Sequence, residues 1–274
     1  MAILGMGAIG HVVARALEGR AELVRVDRTK SPLREGETAV EAVVVATKTP
    51  GTEWAANVAA KILGPGGVAL TIQNGLGNYE IIADHVGHDR AAVGVIYVGA
   101  QLEGGTLRAT GPGRIEIGPP ENPTARTWLD ELGSLLRAGG MDVKVVDDPW
   151  PSVWRKLVTN AAVNPLTALT RKTNADLLAD PAAALVADVL AREVARVASA
   201  HGVALTEDEA VEQWRSMAAL TGNNRSSMLQ DVEAGRHTEV EAINGAVYRH
   251  GAKRGVRAPL NQAVTLLVGA LAPG

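Results

Sequence analysis

The sequence predicts an α/β protein in two parts: a doubly wound, largely parallel sheet over residues 1–147 and an all-α unit over residues 148–274. Three observations carry this reading. Short apolar runs alternate with helical periodicity through the first half. A glycine-rich turn separates the first apolar run from the first helical pattern. Strand signal then disappears beyond Asp147-Asp148-Pro149-Trp150-Pro151.

Residues 2–4 form the first strand and residues 5–10 a turn; Ile9, Val12, Val13, Ala16 and Leu17 then share one helical face, closed by Gly19. Residues 23–26 read as a second strand. Residues 42–46, apolar without alternation, read as a third, buried on both faces. Residues 54–63 predict a helix ended by Gly64-Pro65-Gly66-Gly67, and residues 68–72 a strand leading into Gln73-Asn74-Gly75-Leu76-Gly77. Residues 93–98, 106–109 and 114–117 read as antiparallel strands joined by glycine-rich turns, 125–138 as a helix and 142–146 as a last strand. In the second half, Asp180 caps a helix with Pro181 at its first position, which stops near Gly202, and Thr206 with Glu209 forms a capping box.

Composition narrows the function classes. Of 274 residues, 46% are hydrophobic and 21% charged, enough apolar content for a core. A net charge of −3 gives no electrostatic reason to expect nucleic acid or an anionic membrane as partner. No run approaches the roughly 18 uncharged apolar residues of a membrane span. With no cysteine, disulfides, thiolate chemistry and Cys–zinc sites are excluded. The six histidines are scattered, and no His, Asp and Glu cluster suggests a metal. Met1 runs almost directly into the glycine turn without a basic leader, so the expected location is cytoplasmic.

Gly5-Met6-Gly7-Ala8-Ile9-Gly10 is a GxGxxG between a strand and a helix, the dinucleotide-binding arrangement of a Rossmann domain. Glycines let the backbone approach a pyrophosphate, and the helix N-terminus stabilises its charge. A purely structural turn is the alternative. At the end of the second strand, Asp27 would accept hydrogen bonds from a ribose 2′-hydroxyl, favouring NAD. Arg28 and Lys30 would attract a 2′-phosphate, favouring NADP, so the two signals conflict.

Lys156, Asn160 and Asn164 are spaced four apart among apolar neighbours. On a helix they form one polar stripe, which either faces solvent or meets a polar ligand. Farther on, Asn223-Asn224-Arg225-Ser226-Ser227 and Glu239 bring amides, hydroxyls and a carboxylate close to a helix start. Singly, these read as caps or surface groups.

Taken together these segments resemble the ketopantoate reductase (2-dehydropantoate 2-reductase) family. The resemblance rests on Trp154-Arg155-Lys156 with Asn160 and Asn164-Pro165-Leu166-Thr167-Ala168, and on Ser226-Ser227-Met228-Leu229-Gln230-Asp231 followed by Arg236-His237-Thr238-Glu239, all behind the dinucleotide motif. It implies reduction of a 2-oxo acid to a 2-hydroxy acid with NADPH, in a cleft between the two domains. Lys156 matches the proton donor, and Glu239 a glutamate that positions lysine and substrate and borders the cofactor. Asn160 and Asn164 match substrate-hydroxyl contacts, and Asn224 and Ser227 groups near the substrate carboxylate. Asn74 matches an asparagine where cofactor and substrate meet, Lys48 a lysine lining the cleft, and Arg28 an arginine near the 2′-phosphate.

Two departures stand out. Arg28 and Lys48 are only 20 positions apart, short for the family, and Asp27 beside Arg28 is unexpected for a strict NADPH enzyme, so NADH stays open as cofactor. A related oxidoreductase acting on a different ketone or hydroxy compound is the competing enzyme reading, and a catalytically idle dinucleotide sensor is the non-enzymatic one. The apolar run of residues 260–271 either buries a homodimer face or completes the core.

Overall fold

A computed structural model describes residues 1–28, 39–111 and 113–271. By their internal contacts these divide into two units, one comprising Met1–Gln73 with Gly77–Pro149, the other Asn74–Leu76 with residues from Trp150 onward.

In the first unit the chain runs β1 (Ala2–Leu4), α1 (Ala8–Leu17), β2 (Val24–Val26), β3 (Val40–Val45), α2 (Thr52–Ile62), β4 (Leu63–Thr71), α3 (Asn78–Val86), β5 (Ala91–Tyr97), β6 (Ala100–Glu103), β7 (Thr106–Ala109), β8 (Arg114–Gly118), α4 (Pro123–Ala138) and β9 (Asp142–Val145). Seven strands form one sheet in the order β2-β1-β3-β4-β5-β8-β9, parallel except where β8 runs against β5. The β6–β7 hairpin stands apart as a second sheet.

The run of valines in β3 shows why the sheet is doubly wound. Ala42 and Val44 pack with Val13, Leu17, Leu129, Leu132 and Leu136 of α1 and α4. Val43 and Val45 pack on the other face with Ala55, Ala56, Ile62, Ile82 and Ala83 of α2 and α3. Period-two alternation of the apolar run Ala42–Val45 demands helices on both sides. The chain moves from β1 outward to β2 and then returns to β3 on the far side. The order therefore reverses beside β1, and in such sheets ligands bind beyond the carboxyl ends of the strands at that point.

Several expectations shift. The glycine-rich run Gly64-Pro65-Gly66-Gly67 is not a separate turn: it lies within β4, whose register against β3 jumps from Val40↔Leu63 to Ala42↔Val68. The extra residues bulge out, with Gly66 at φ +73°. The strand expected over residues 93–98 pairs with β8, whereas β7 pairs with β6, a strand that its half-exposed, weakly apolar sequence concealed. Helix α3 follows a glycine turn with no side-chain cap and was equally silent.

The second unit is helical: α5 (Trp150–Thr170), α6 (Asn174–Ala179), α7 (Pro181–Ala200), α8 (Glu207–Leu220), α9 (Ser227–Glu233), a π-helical segment (Glu241–Gly245), α10 (Ala246–Lys253) and α11 (Pro259–Gly269). α5 lies at its centre, packed by α7, α8, α9 and α11. The expected caps are present: Asp180 accepts from Ala182 N and Ala183 N, and Thr206 with Glu209 closes a capping box. With no phenylalanine, large core volume falls to Leu, Ile and Trp; Trp214 is fully buried and its indole donates to Asp188 Oδ1 at 2.9 Å. Among the described residues no helix is long and apolar enough to cross a membrane.

Gly139, just past α4, lies against the backbone of α1, and a Cβ there would overlap the Ala16 carbonyl. Gly139→Ala is expected to cost about 1–3 kcal/mol through overpacking, read as a lower denaturation midpoint with unchanged slope.

Candidate active site

The loops at the carboxyl ends of β1, β2, β3 and β4 carry the candidate residues of the first unit. After β1, Gly5 takes φ +99°, and a Cβ on it would stand 2.5 Å from Thr47 N and 2.8 Å from Ala46 C at the end of β3. A Cβ on Gly10 would overlap the Gly5 carbonyl oxygen. Gly7 differs: nothing lies within 4 Å of the Cβ position, and as N-cap of α1 it offers no side chain to the first-turn N–H groups. The first and third glycines thus let the turn close, and the middle one leaves open space beside uncapped donors. Met6 and Ile9 are half-buried against the core and Ala8 starts the helix.

Beyond β2, Asp27 is half-buried and Arg28 exposed. Lys48, also exposed, precedes a short 3₁₀ turn, Thr49–Gly51, after β3. Lys30 lies outside the described residues.

A polar network not foreseen from the sequence braces these loops. Gln73 Nε2 reaches Thr47 O at 3.0 Å, Thr47 Oγ1 at 3.1 Å and Thr52 Oγ1 at 2.8 Å, and its Oε1 accepts from Thr71 Oγ1 at 3.0 Å. Thr52 in turn donates to Asn78 Oδ1 at 2.8 Å, with both residues buried. One amide thereby ties the ends of β3 and β4 to the start of α2.

In the second unit α5 carries the polar stripe. Asn164 is 7% exposed, and Lys156 and Asn160 are half-buried. The side-chain amides of Asn160 and Asn164 make no hydrogen bond among the described residues. Both amides are therefore available to water or to a polar ligand. The dense surroundings of the Lys156 ammonium lower its pKa from 10.5 to about 8; burial is the larger influence, and the Glu239 carboxylate opposes it. Glu239, 7% exposed, accepts from Asn74 Nδ2 at 3.2 Å. Asn74 is held in turn by its neighbours: Leu76 N donates to Ala242 O at 2.9 Å, and Gly75 at φ +84° leaves no room for a Cβ against that carbonyl.

Asn224 and Ser227 are exposed. Their loop is tethered through Ser226, the N-cap of α9: Ser226 Oγ accepts from Leu229 N at 3.1 Å and lies within hydrogen-bond distance of Thr167 Oγ1, at 2.7 Å. Thr167 is three residues past Asn164 and also donates to its carbonyl at 2.9 Å. Trp154 anchors the start of the stripe, buried and stacked on His201 with ring centroids 5.6 Å apart.

Two family models match the chain: "Ketopantoate reductase PanE/ApbA" over residues 21–122 and "Ketopantoate reductase PanE/ApbA C terminal" over residues 149–272. A 2-dehydropantoate 2-reductase of Archaeoglobus fulgidus is 32% identical over 288 aligned residues, covering 97% of this chain and 95% of the relative. The chain belongs to the ketopantoate reductase family. A second 2-dehydropantoate 2-reductase, from Halobacterium salinarum, is 35% identical over 227 residues, covering 82% of this chain and 74% of that one. Among solved structures, a PanE/ApbA family ketopantoate reductase from Ralstonia eutropha superimposes with a TM-score of 0.83 at 26% identity, covering 99% of this chain and 98% of that one. A D-mandelate dehydrogenase solved with NADH and anilino(oxo)acetate shares the fold, with a TM-score of 0.88 at 24% identity and coverage of 99% and 98%. The chain is a nicotinamide-dependent oxidoreductase.

Within this ketopantoate reductase family member, Asn74, Lys156 and Glu239 form one electrostatic group, with Asn160 and Asn164 on the same helix as the lysine. Ser226 takes the capping role read for it, and Gln73 and Thr167 are the supporting groups that sequence patterns did not single out, each reaching partners distant in sequence. Lys156 is expected to titrate near pH 8 in an NMR titration of isotopically labelled lysines. Glu239→Gln removes the one influence that raises its pKa, so the midpoint moves to lower pH. A midpoint that stays or rises would contradict the pairing.

Proposed function

We propose that the chain reduces a 2-oxo acid to the corresponding 2-hydroxy acid with NADPH, and that ketopantoate is the first substrate to test. The observation that carries this is the α5 stripe: one ammonium with its pKa lowered to about 8, on the same helix as two amides that make no hydrogen bond among the described residues.

The glycine turn fits a dinucleotide. The open space at Gly7 beside the uncapped first turn of α1 suits a pyrophosphate, held by the backbone of Gly5, Met6, Gly7, Ala8, Ile9 and Gly10. Asp27 and Arg28 would meet the adenosine ribose, Lys48 would border the bound cofactor, and Asn74 with Glu239 its nicotinamide side. Bound there, the reduced nicotinamide supplies a hydride to the carbonyl carbon.

The protein's own groups handle the oxygen. Lys156 directs its ammonium at the carbonyl oxygen, stabilises the developing negative charge and donates the proton that completes the hydroxyl. A pKa of about 8 makes that proton easier to release than from a free lysine, while leaving the ammonium largely charged at neutral pH. Glu239 keeps the ammonium charged and oriented, and Asn74 fixes the carboxylate. Asn160 and Asn164 hydrogen-bond the substrate's hydroxyl side, and Asn224 and Ser227 its carboxylate. The exposed Leu266, Leu267 and Leu271 lead us to infer a homodimer; a monomer mass by sedimentation at micromolar concentration would reject it.

Lys156→Ala is expected to lower kcat for ketopantoate by about 10²–10⁴-fold with little change in cofactor affinity. Because the donor is the protonated form, wild-type reduction should be flat below pH 8 and fall above it. Arg28→Ala should raise KM for NADPH and spare NADH, and Asp27→Ala should do the reverse. No turnover of ketopantoate by a protein that binds either cofactor would redirect the assignment to another ketone.

A further inference from the structure

Helix α5 continues through Pro165, which has no N–H to donate to the carbonyl of Ala161 four residues earlier. That carbonyl is met from outside the helix: Asn244 Nδ2 donates to Ala161 O at 3.0 Å. The same Nδ2 reaches Asn261 Oδ1 at 2.9 Å, and Asn261 Nδ2 donates to Glu193 Oε2 at 2.8 Å. Glu193 also accepts from Leu260 N at 3.0 Å and Asn261 N at 2.9 Å, the uncapped first turn of α11. Asn244 and Asn261 are fully buried and Glu193 is 2% exposed. Asn244 is part of the π-helical segment that begins two residues after Glu239, where Ala242 N and Ile243 N both donate to Glu239 O at 3.0 Å. The cluster thus grips α5 between Asn160 and Asn164 at one end and connects to the backbone of Glu239 at the other. π-helical turns recur at functional sites because they redirect a side chain without breaking the helix.

We propose that Asn244 is a positioning residue, which docks into the gap that Pro165 opens in α5 and thereby sets where the Glu239 carboxylate stands relative to Lys156. This rests on the reading of Lys156 as proton donor and Glu239 as its partner. Stability alone is a poor account of Asn244, because its buried Oδ1 has no hydrogen-bond partner among the described residues. An apolar side chain there, with an alanine at 165 to close the helix, would satisfy Ala161 O and leave Asn261 Oδ1 in place of Asn244 Oδ1 as the one unpaired acceptor of the cluster. The arrangement observed instead locks two segments in a fixed register.

That alternative is also the test. Asn244→Leu leaves Ala161 O and Asn261 Oδ1 without a donor; adding Pro165→Ala restores an intrahelical N–H to Ala161 O. The expected result is that Asn244→Leu lowers both the melting temperature and kcat, the latter at least tenfold, and moves the alkaline limb of the kcat profile below pH 8. The double variant should recover the part of the melting temperature lost at Ala161 O and keep the low kcat and displaced limb. Recovery of kcat and limb together with stability would overturn the proposal, as would an Asn244→Leu protein with kcat within twofold of wild type. If Asn244→Leu does not fold, Asn244→Gln keeps the amide on a longer stem. A lower kcat with a displaced limb is then expected, and wild-type values for both overturn the proposal. Lys156→Ala assayed in parallel separates the two ideas: wild-type turnover in that variant removes the proton-donor reading itself.

Discussion

The helical unit is organised around a lysine ammonium in surroundings that disfavour its charge, opposed by a single carboxylate. Burial draws Lys156 toward neutrality, and Glu239 draws it back toward the ammonium. Neither influence alone would suit the proton-donor role we propose for it at neutral pH. An exposed lysine holds its proton too tightly, and a buried one without a partner carries none to give. The balance is set by distance, since Coulomb interaction in a dense medium changes steeply over a few ångströms. Much of the neighbouring structure constrains that distance: Asn74 on the carboxylate, the Gly75–Leu76 backbone on Ala242, and the π-helical segment after Glu239.

The same logic explains why a proline is tolerated inside α5. Elsewhere in a helix interior it would orphan a carbonyl and weaken the element. Here the orphan is an attachment point, so a local defect becomes a specific contact between segments 83 positions apart. In the sheet unit, close backbone approach at Gly5 and Gly10 brings β1, β3 and α1 together without side chains between them.

What could be read from the sequence was what local chemistry dictates. The valine run of β3, the caps at Asp180 and Thr206, and the four-residue spacing of Lys156, Asn160 and Asn164 each depend on neighbours within a turn or a strand. The bulge within β4 could not be read, because Gly64-Pro65-Gly66-Gly67 has a turn's composition and only the pairing of β3 carries the ladder past it. The half-exposed β6 has too little apolar content to announce itself. The site divides similarly. The stripe was legible, but Asn74 and Glu239 meet across 165 positions, and the Gln73 network links three elements through one amide. The clues that remained were single asparagines within apolar stretches, such as Asn244 between Ile243 and Gly245. A buried amide there needs a partner that no periodicity can name.

The uncapped start of α1 has a consequence for the protein's life in a cell. With Gly7 as N-cap, its first-turn donors receive no side-chain acceptor. A bound pyrophosphate would act as the missing cap, so the cofactor becomes part of the folding equilibrium. A ligand at a hundred times its dissociation constant adds about 2.7 kcal/mol to the stability of the state that binds it. The abundance of this enzyme would then follow the total supply of the dinucleotide, oxidised or reduced, because both carry the same pyrophosphate: when that pool runs down, opening and proteolysis increase.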